Sequence, residues 1–141
     1  MSEYGRTPLH MAAANGHLET FIFLGKNANN QNPKDSDGAT PLHFAARMGH
    51  LNICKFIIKN LTEKNPGDGL GFTPLHEAIE KGHYEICKFM IENIDNIKYD
   101  NDEYGNPLHT AADVGHVDIY RVSRQSSQVF DPNFDPLKLE F

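Results

Sequence analysis

The chain has no tryptophan and only two cysteines, Cys54 and Cys87, with no CxxC pairing. That usage suits a reducing compartment better than a disulfide framework, and no redox chemistry is implied. Positive charge is also scarce. Thirteen Lys and Arg against 19 Asp and Glu leave a net charge of −6, so no basic stripe exists to neutralise a phosphate backbone, which argues against nucleic acid as a partner. No apolar run approaches the roughly 18 to 20 residues of a bilayer span. The N-terminus, Met1-Ser2-Glu3-Tyr4, lacks the basic and apolar regions of a secretory signal. The expectation is a soluble intracellular protein, cytoplasmic or nuclear, with no membrane insertion. Phosphate-binding, nucleophile-elbow, HExxH and EF-hand patterns are absent as well, so no enzyme activity, metal or cofactor is expected.

What is present is a repeat. Thr7-Pro8-Leu9-His10, Thr40-Pro41-Leu42-His43 and Thr73-Pro74-Leu75-His76 are followed by Asn106-Pro107-Leu108-His109, each 33 residues after the last. The same offset relates Gly16-His17, Gly49-His50, Gly82-His83 and Gly115-His116. A fixed period of this length marks a stacked-repeat architecture, in which no unit buries its apolar face alone. Threonine suits an N-cap, proline is pre-set for the first helical position, and the glycine of Gly-His suits a left-handed C-cap. Each unit therefore opens with a short helix of about two turns. A second amphipathic helix follows: Leu51, Ile53, Cys54, Ile57 and Ile58 match Tyr84, Ile86, Cys87, Met90 and Ile91 in helical phase. The links between units are polar and turn-prone, as in Asn65-Pro66-Gly67-Asp68-Gly69.

With its TPLHxA and GH motifs the chain resembles the ankyrin-repeat family over about residues 2–122. The resemblance implies an all-α repeat solenoid of paired antiparallel helices joined by hairpin-like loops. The repeats fall at about 2–34, 35–67, 68–101 and 102–125, making a domain over 1–125 with the last repeat as C-terminal cap. Repeat one departs from the pattern, with Thr20 and Gly25 where its neighbours have isoleucine, which weakens its second helix. Repeat four departs too: Tyr104 stands in the slot of Gly38 and Gly71, so its leading turn must differ. Beyond the period lies a tail, 126–141, whose Phe130, Phe134 and Leu137 are either loose or docked on an apolar surface.

All eight histidines fall in the two repeated slots, which makes them structural. In the family the first set, here His10, His43, His76 and His109, braces the hairpin through hydrogen bonds. Cys54 and Cys87 occupy one slot of stacked helices, and packed helices lie about 8–10 Å apart, too far for a disulfide. Both are expected to be buried.

The resemblance also implies protein binding across a concave face, through hairpin tips and the exposed side of the first helices, where the repeats vary. Those positions include Tyr4, Arg6, Asp37, Arg47, Met48, Leu70, Phe72, Glu80, Lys81, Tyr104 and Asp113. Leu70 and Phe72 stand out because turn tips are normally polar. They act either as interface anchors or, for Phe72, as packing on a neighbouring tip. Hairpin asparagines resemble substrates of asparagine hydroxylation, and Asn65 and Asn32 hold that slot. The expected role is a monomeric inhibitor or adaptor for another protein. The alternatives are a targeting or scaffolding domain excised from a larger protein, and a self-associating array built on the apolar edge of repeat one.

Overall fold

A computed structural model describes residues 3–94 and 107–125. Tyr104, the leading turn of repeat four and the tail 126–141, for which the sequence raised expectations, lie outside the described residues. Within them the chain is an all-α solenoid of eight helices: α1 (Pro8–Ala14), α2 (Leu18–Lys26), α3 (Pro41–Met48), α4 (Leu51–Asn60), α5 (Pro74–Glu80), α6 (Tyr84–Asn93), α7 (Pro107–Val114) and α8 (Val117–Gln125). Odd-numbered helices stack on one another as a first layer and even-numbered helices as a second. The first layer packs more closely, because Ala12, Ala13, Ala45, Ala46, Ala78 and Ala111 leave little side chain between backbones. The second layer carries the bulk, with Ile53, Cys54, Ile57 and Ile58 of α4 and Ile86, Cys87, Met90 and Ile91 of α6 buried.

Histidine, more than threonine, organises the first-layer N-termini. His10, His43 and His76 sit at the third helical position and complete a capping box with Thr7, Thr40 and Thr73. The Thr40 amide donates to Nδ1 of His43 at 3.0 Å. That nitrogen therefore carries no proton, and Nε2–H donates to the Phe72 carbonyl of the following link at 2.8 Å. His10 makes the same pair of bonds, to Thr7 at 3.0 Å and to the Ala39 carbonyl at 2.9 Å. The bracing role implied for the first set is thus observed at both positions.

The links are hairpin fingers. The Asp35 amide donates to the Ala39 carbonyl at 2.9 Å, and its Oδ1 accepts from the Asp37 and Ala39 amides at 3.0 and 2.8 Å. Asp68 repeats the arrangement around Leu70 and Phe72. Successive fingers are tied directly, Ser36 N–H to the Tyr4 carbonyl at 2.9 Å and Gly69 N–H to the Asp37 carbonyl at 2.8 Å.

The second histidine set has a role that the spacing did not show. Nε2 of His50 reaches back to the Ala14 carbonyl at 3.0 Å, and that of His83 to the Arg47 carbonyl at 2.9 Å. Each ring thus takes a carbonyl that the preceding first-layer helix leaves free at its C-terminus. Gly49 is needed twice over: it turns the chain at φ +82, and a Cβ there would lie 2.8 Å from the His83 ring. In repeat one, α2 continues through Gly25 to Lys26. The missing isoleucine appears as a groove of about 450 Å³ between α2 and α4, lined by Phe21, Gly25, Phe56, Ile57 and Leu61 among others.

Candidate functional site

Side chains at 33-residue spacing form columns along the fingers and the first-layer helices. At the fingertips stand Tyr4, Asp37 and Leu70, each exposed, with Tyr4 at 55% and Leu70 at 54%. Toward the C-terminal ends of the first-layer helices run Met48, Lys81 and Val114, beside Arg47, Glu80 and Asp113. Met48 is 55% exposed, and Glu80, Lys81 and Asp113 are exposed. The column nearest the helix starts, Met11, Phe44, Glu77 and Thr110, was not among the expected positions. It could have been found from its variation alone, since four unlike residues follow four histidines.

That column organises the centre of the face. Phe44 is buried, and the guanidinium groups of Arg6 and Arg47 lie 4.9 and 5.2 Å from its ring centroid. Arg6 also lies 5.2 Å from the Tyr4 ring and 3.7 Å from the Asp35 carboxylate. Arg47 forks onto the buried Glu77 of the next repeat, Nε to Oε2 at 3.0 Å and Nη2 to Oε1 at 2.6 Å. The hydrogen bond to Glu77 holds the Arg47 pKa above its ordinary value. Arg47, expected to supply rim charge to a partner, is therefore turned inward and locks repeats two and three together. Charge remaining exposed on the face comes from Asp37, Glu80, Lys81 and Asp113.

Phe72 differs from Leu70 in the same way. Its ring stacks on His76 of its own repeat, centroids 5.0 Å apart, and its carbonyl takes the His43 proton. It is a partly buried component of the finger, whereas Leu70 stands free at the tip. The two asparagines are also engaged: Oδ1 of Asn65 accepts from the Leu75 amide at 3.2 Å, and Nδ2 of Asn32 reaches Oε2 of Glu63 at 3.5 Å.

Titratable groups behave as parts of a frame. Burial lowers the pKa of His10 and His43, against the opposing pull of their carbonyl bonds. Cys54 and Cys87 are free thiols, buried and pushed up to about 12 by desolvation, where no thiolate nucleophile exists at neutral pH. Among the described residues no group of three or more His, Cys, Asp or Glu is placed to hold a metal, and no helix is long and apolar enough to cross a membrane.

A family model described as ankyrin repeats (3 copies) matches residues 1–68 and 58–122. No curated protein matches the chain.

Proposed function

The chain belongs to the ankyrin-repeat family, and on that ground we propose that it is a non-catalytic module that binds one partner protein across its concave face, as an inhibitor or adaptor inside the cell. One observation carries this reading. Of the eight large hydrophobic side chains exposed among the described residues, five, Tyr4, Met11, Met48, Leu70 and Val114, lie on the fingertips and first-layer helices, while Phe23, Tyr84 and Val117 lie on the second layer. Apolar anchors within a charged surround are how interfaces concentrate binding energy. Met48 and Leu70 are the central anchors, Tyr4 and Met11 extend the surface toward repeat one, and Val114 toward repeat four. Asp37, Glu80, Lys81 and Asp113 orient the partner, and Arg6, Arg47 and Phe72 support the surface from beneath.

The test is capture from cell lysate by the full chain beside a Met48→Ala, Leu70→Ala variant, with circular dichroism showing both folded. Both side chains are more than half exposed, so their truncation leaves the frame intact. Partners retained by the parent chain and lost by the variant support this surface. Capture of the same partners by both proteins overturns it.

A further inference from the structure

One slot of the second layer is empty in repeat one. Ile58 and Ile91 fill it in repeats two and three, 1% and 0% exposed, whereas repeat one has Gly25, where an added Cβ would meet nothing within 4 Å. The space left is the groove of about 450 Å³ between α2 and α4. Small-molecule sites have this volume, with a mostly apolar lining and a few placed polar groups. Phe21, Ile22, Phe56, Ile57 and Leu61 supply the apolar wall. Phe21 and Phe56 meet edge to face at 6.2 Å, a favoured arrangement that holds both rings in place. The groove lies between two consecutive repeats, on the layer away from the fingertips and first-layer helices.

The polar groups of the groove gather at one end. Lys26, Gln31 and Asn60 line it where α2 and α4 finish. The Gln31 and Asn60 amides each donate one N–H within their own repeat, to the Gly25 and Phe56 carbonyls at 3.1 and 2.7 Å, and keep a second N–H. Two opposing charges act here. Each helix C-terminus carries about half a negative charge, roughly −1 for the two. Lys26 and Lys59, in the last turns of α2 and α4, bring two full positive charges, and neither forms an ion pair among the described residues. The cations outweigh the helix ends, so this end of the groove favours an anion. Glu63 of the following link is turned to Asn32 at 3.5 Å and does not line the groove.

We propose that this groove binds a small amphiphile with a straight hydrocarbon chain and a carboxylate head, a medium-chain fatty acid in chemical class. The hydrocarbon lies in the space of the missing isoleucine, against Phe21, Phe56 and Ile57. The carboxylate accepts from the Lys26 ammonium and from the remaining N–H groups of Gln31 and Asn60. From Phe21 to Lys26 the α2 wall is roughly 8 Å long, which suits a chain of about eight carbons. One side of the groove is open to solvent, so each CH₂ up to that length tightens binding about two- to threefold, less than full burial would. A dissociation constant on the order of 0.1–1 mM is expected for a ligand of this size. The site shares no residue with the proposed partner-binding surface and stands or falls independently of it.

Titration of the full chain with octanoate, followed through the NMR signals of its isoleucine and leucine methyl groups, tests this. Shifts should concentrate at Ile22, Ile57 and Leu61 and leave Ile86 and Ile91 of α6 unmoved. Hexanoate should bind about four- to ninefold more weakly than octanoate. Octylammonium, equal in length and opposite in charge, should bind about fivefold more weakly or worse. Gly25→Ile restores the side chain of the other repeats, and should raise the melting temperature through helix propensity while abolishing the octanoate shifts. Lys26→Gln, at an exposed position, should leave the fold unchanged and narrow the gap between octanoate and octylammonium. Absence of methyl shifts at about 10 mM octanoate, well above the expected constant, overturns the proposal. So does undiminished binding by Gly25→Ile, or equal affinity for octanoate and octylammonium. If the same methyls shift only as the protein itself is concentrated to about 1 mM, the groove belongs to a second copy and the proposal is likewise overturned.

Discussion

At Nδ1 of His43 the ring accepts the Thr40 amide proton, and at Nε2 it donates to the Phe72 carbonyl. Only the neutral ring can do both. The unfolded chain takes up a proton near the ordinary value of 6.5, while in the folded chain burial holds the pKa of His43, and of His10, lower. The unfolded state thus binds more protons below about 6.5, so stability is complete above that pH and is lost as the pH falls toward the folded values. The urea midpoint should be lower at pH 5.5 than at pH 7.5, both being conditions of measurement on either side of the free imidazole value. A His10→Gln, His43→Gln variant should be weaker at the higher pH and show a flatter profile. Arg47 and Glu77 give a second residue-scale expectation. Arg47→Met strands a buried carboxylate and should cost about 1–3 kcal/mol, less than for a wholly buried pair because water reaches the guanidinium. Adding Glu77→Gln should recover most of that loss, as a double-mutant cycle in urea would show.

For the helices, the glycines separate two kinds of position. Gly25 lies inside α2 and a Cβ there meets nothing within 4 Å, so Gly25→Ala should stabilise by about 0.5–1 kcal/mol through helix propensity. Gly49→Ala should do the reverse, by about 1–2 kcal/mol or more, since φ is +82 and the His83 ring lies 2.8 Å from where the Cβ would sit. Thermal melts of the two variants should move in opposite directions. The first-layer helices were legible in the sequence because their start, Pro after Thr, and their stop, Gly before His, are local signals. The tie made by His50 was not, because it bonds a carbonyl 36 residues away and nothing local marks the distance. Gly25 was legible as a weakness, but whether that would loosen the helix or open a groove depended on how Phe21 and Phe56 pack across it.

Across the whole molecule the period alone carried the architecture, since each unit meets only its neighbours. The proposed binding surface was only partly readable. Exposure at Tyr4, Met48 and Leu70 matches what their varying slots implied. The inward turn of Arg47 and the stacking of Phe72 on His76 arise from pairings between columns that a one-dimensional alignment does not contain. The same neighbour-only design has a mechanical consequence. Finger amides and both histidine sets fasten one repeat to the next, so tension between the termini passes through these fastenings in series, each bearing the full load. The array should not rupture at once but peel, repeat by repeat, from an end. Every step releases up to about 110–120 Å of slack for its 33 residues, making the protein an extensible tether whose sawtooth trace an optical trap would record.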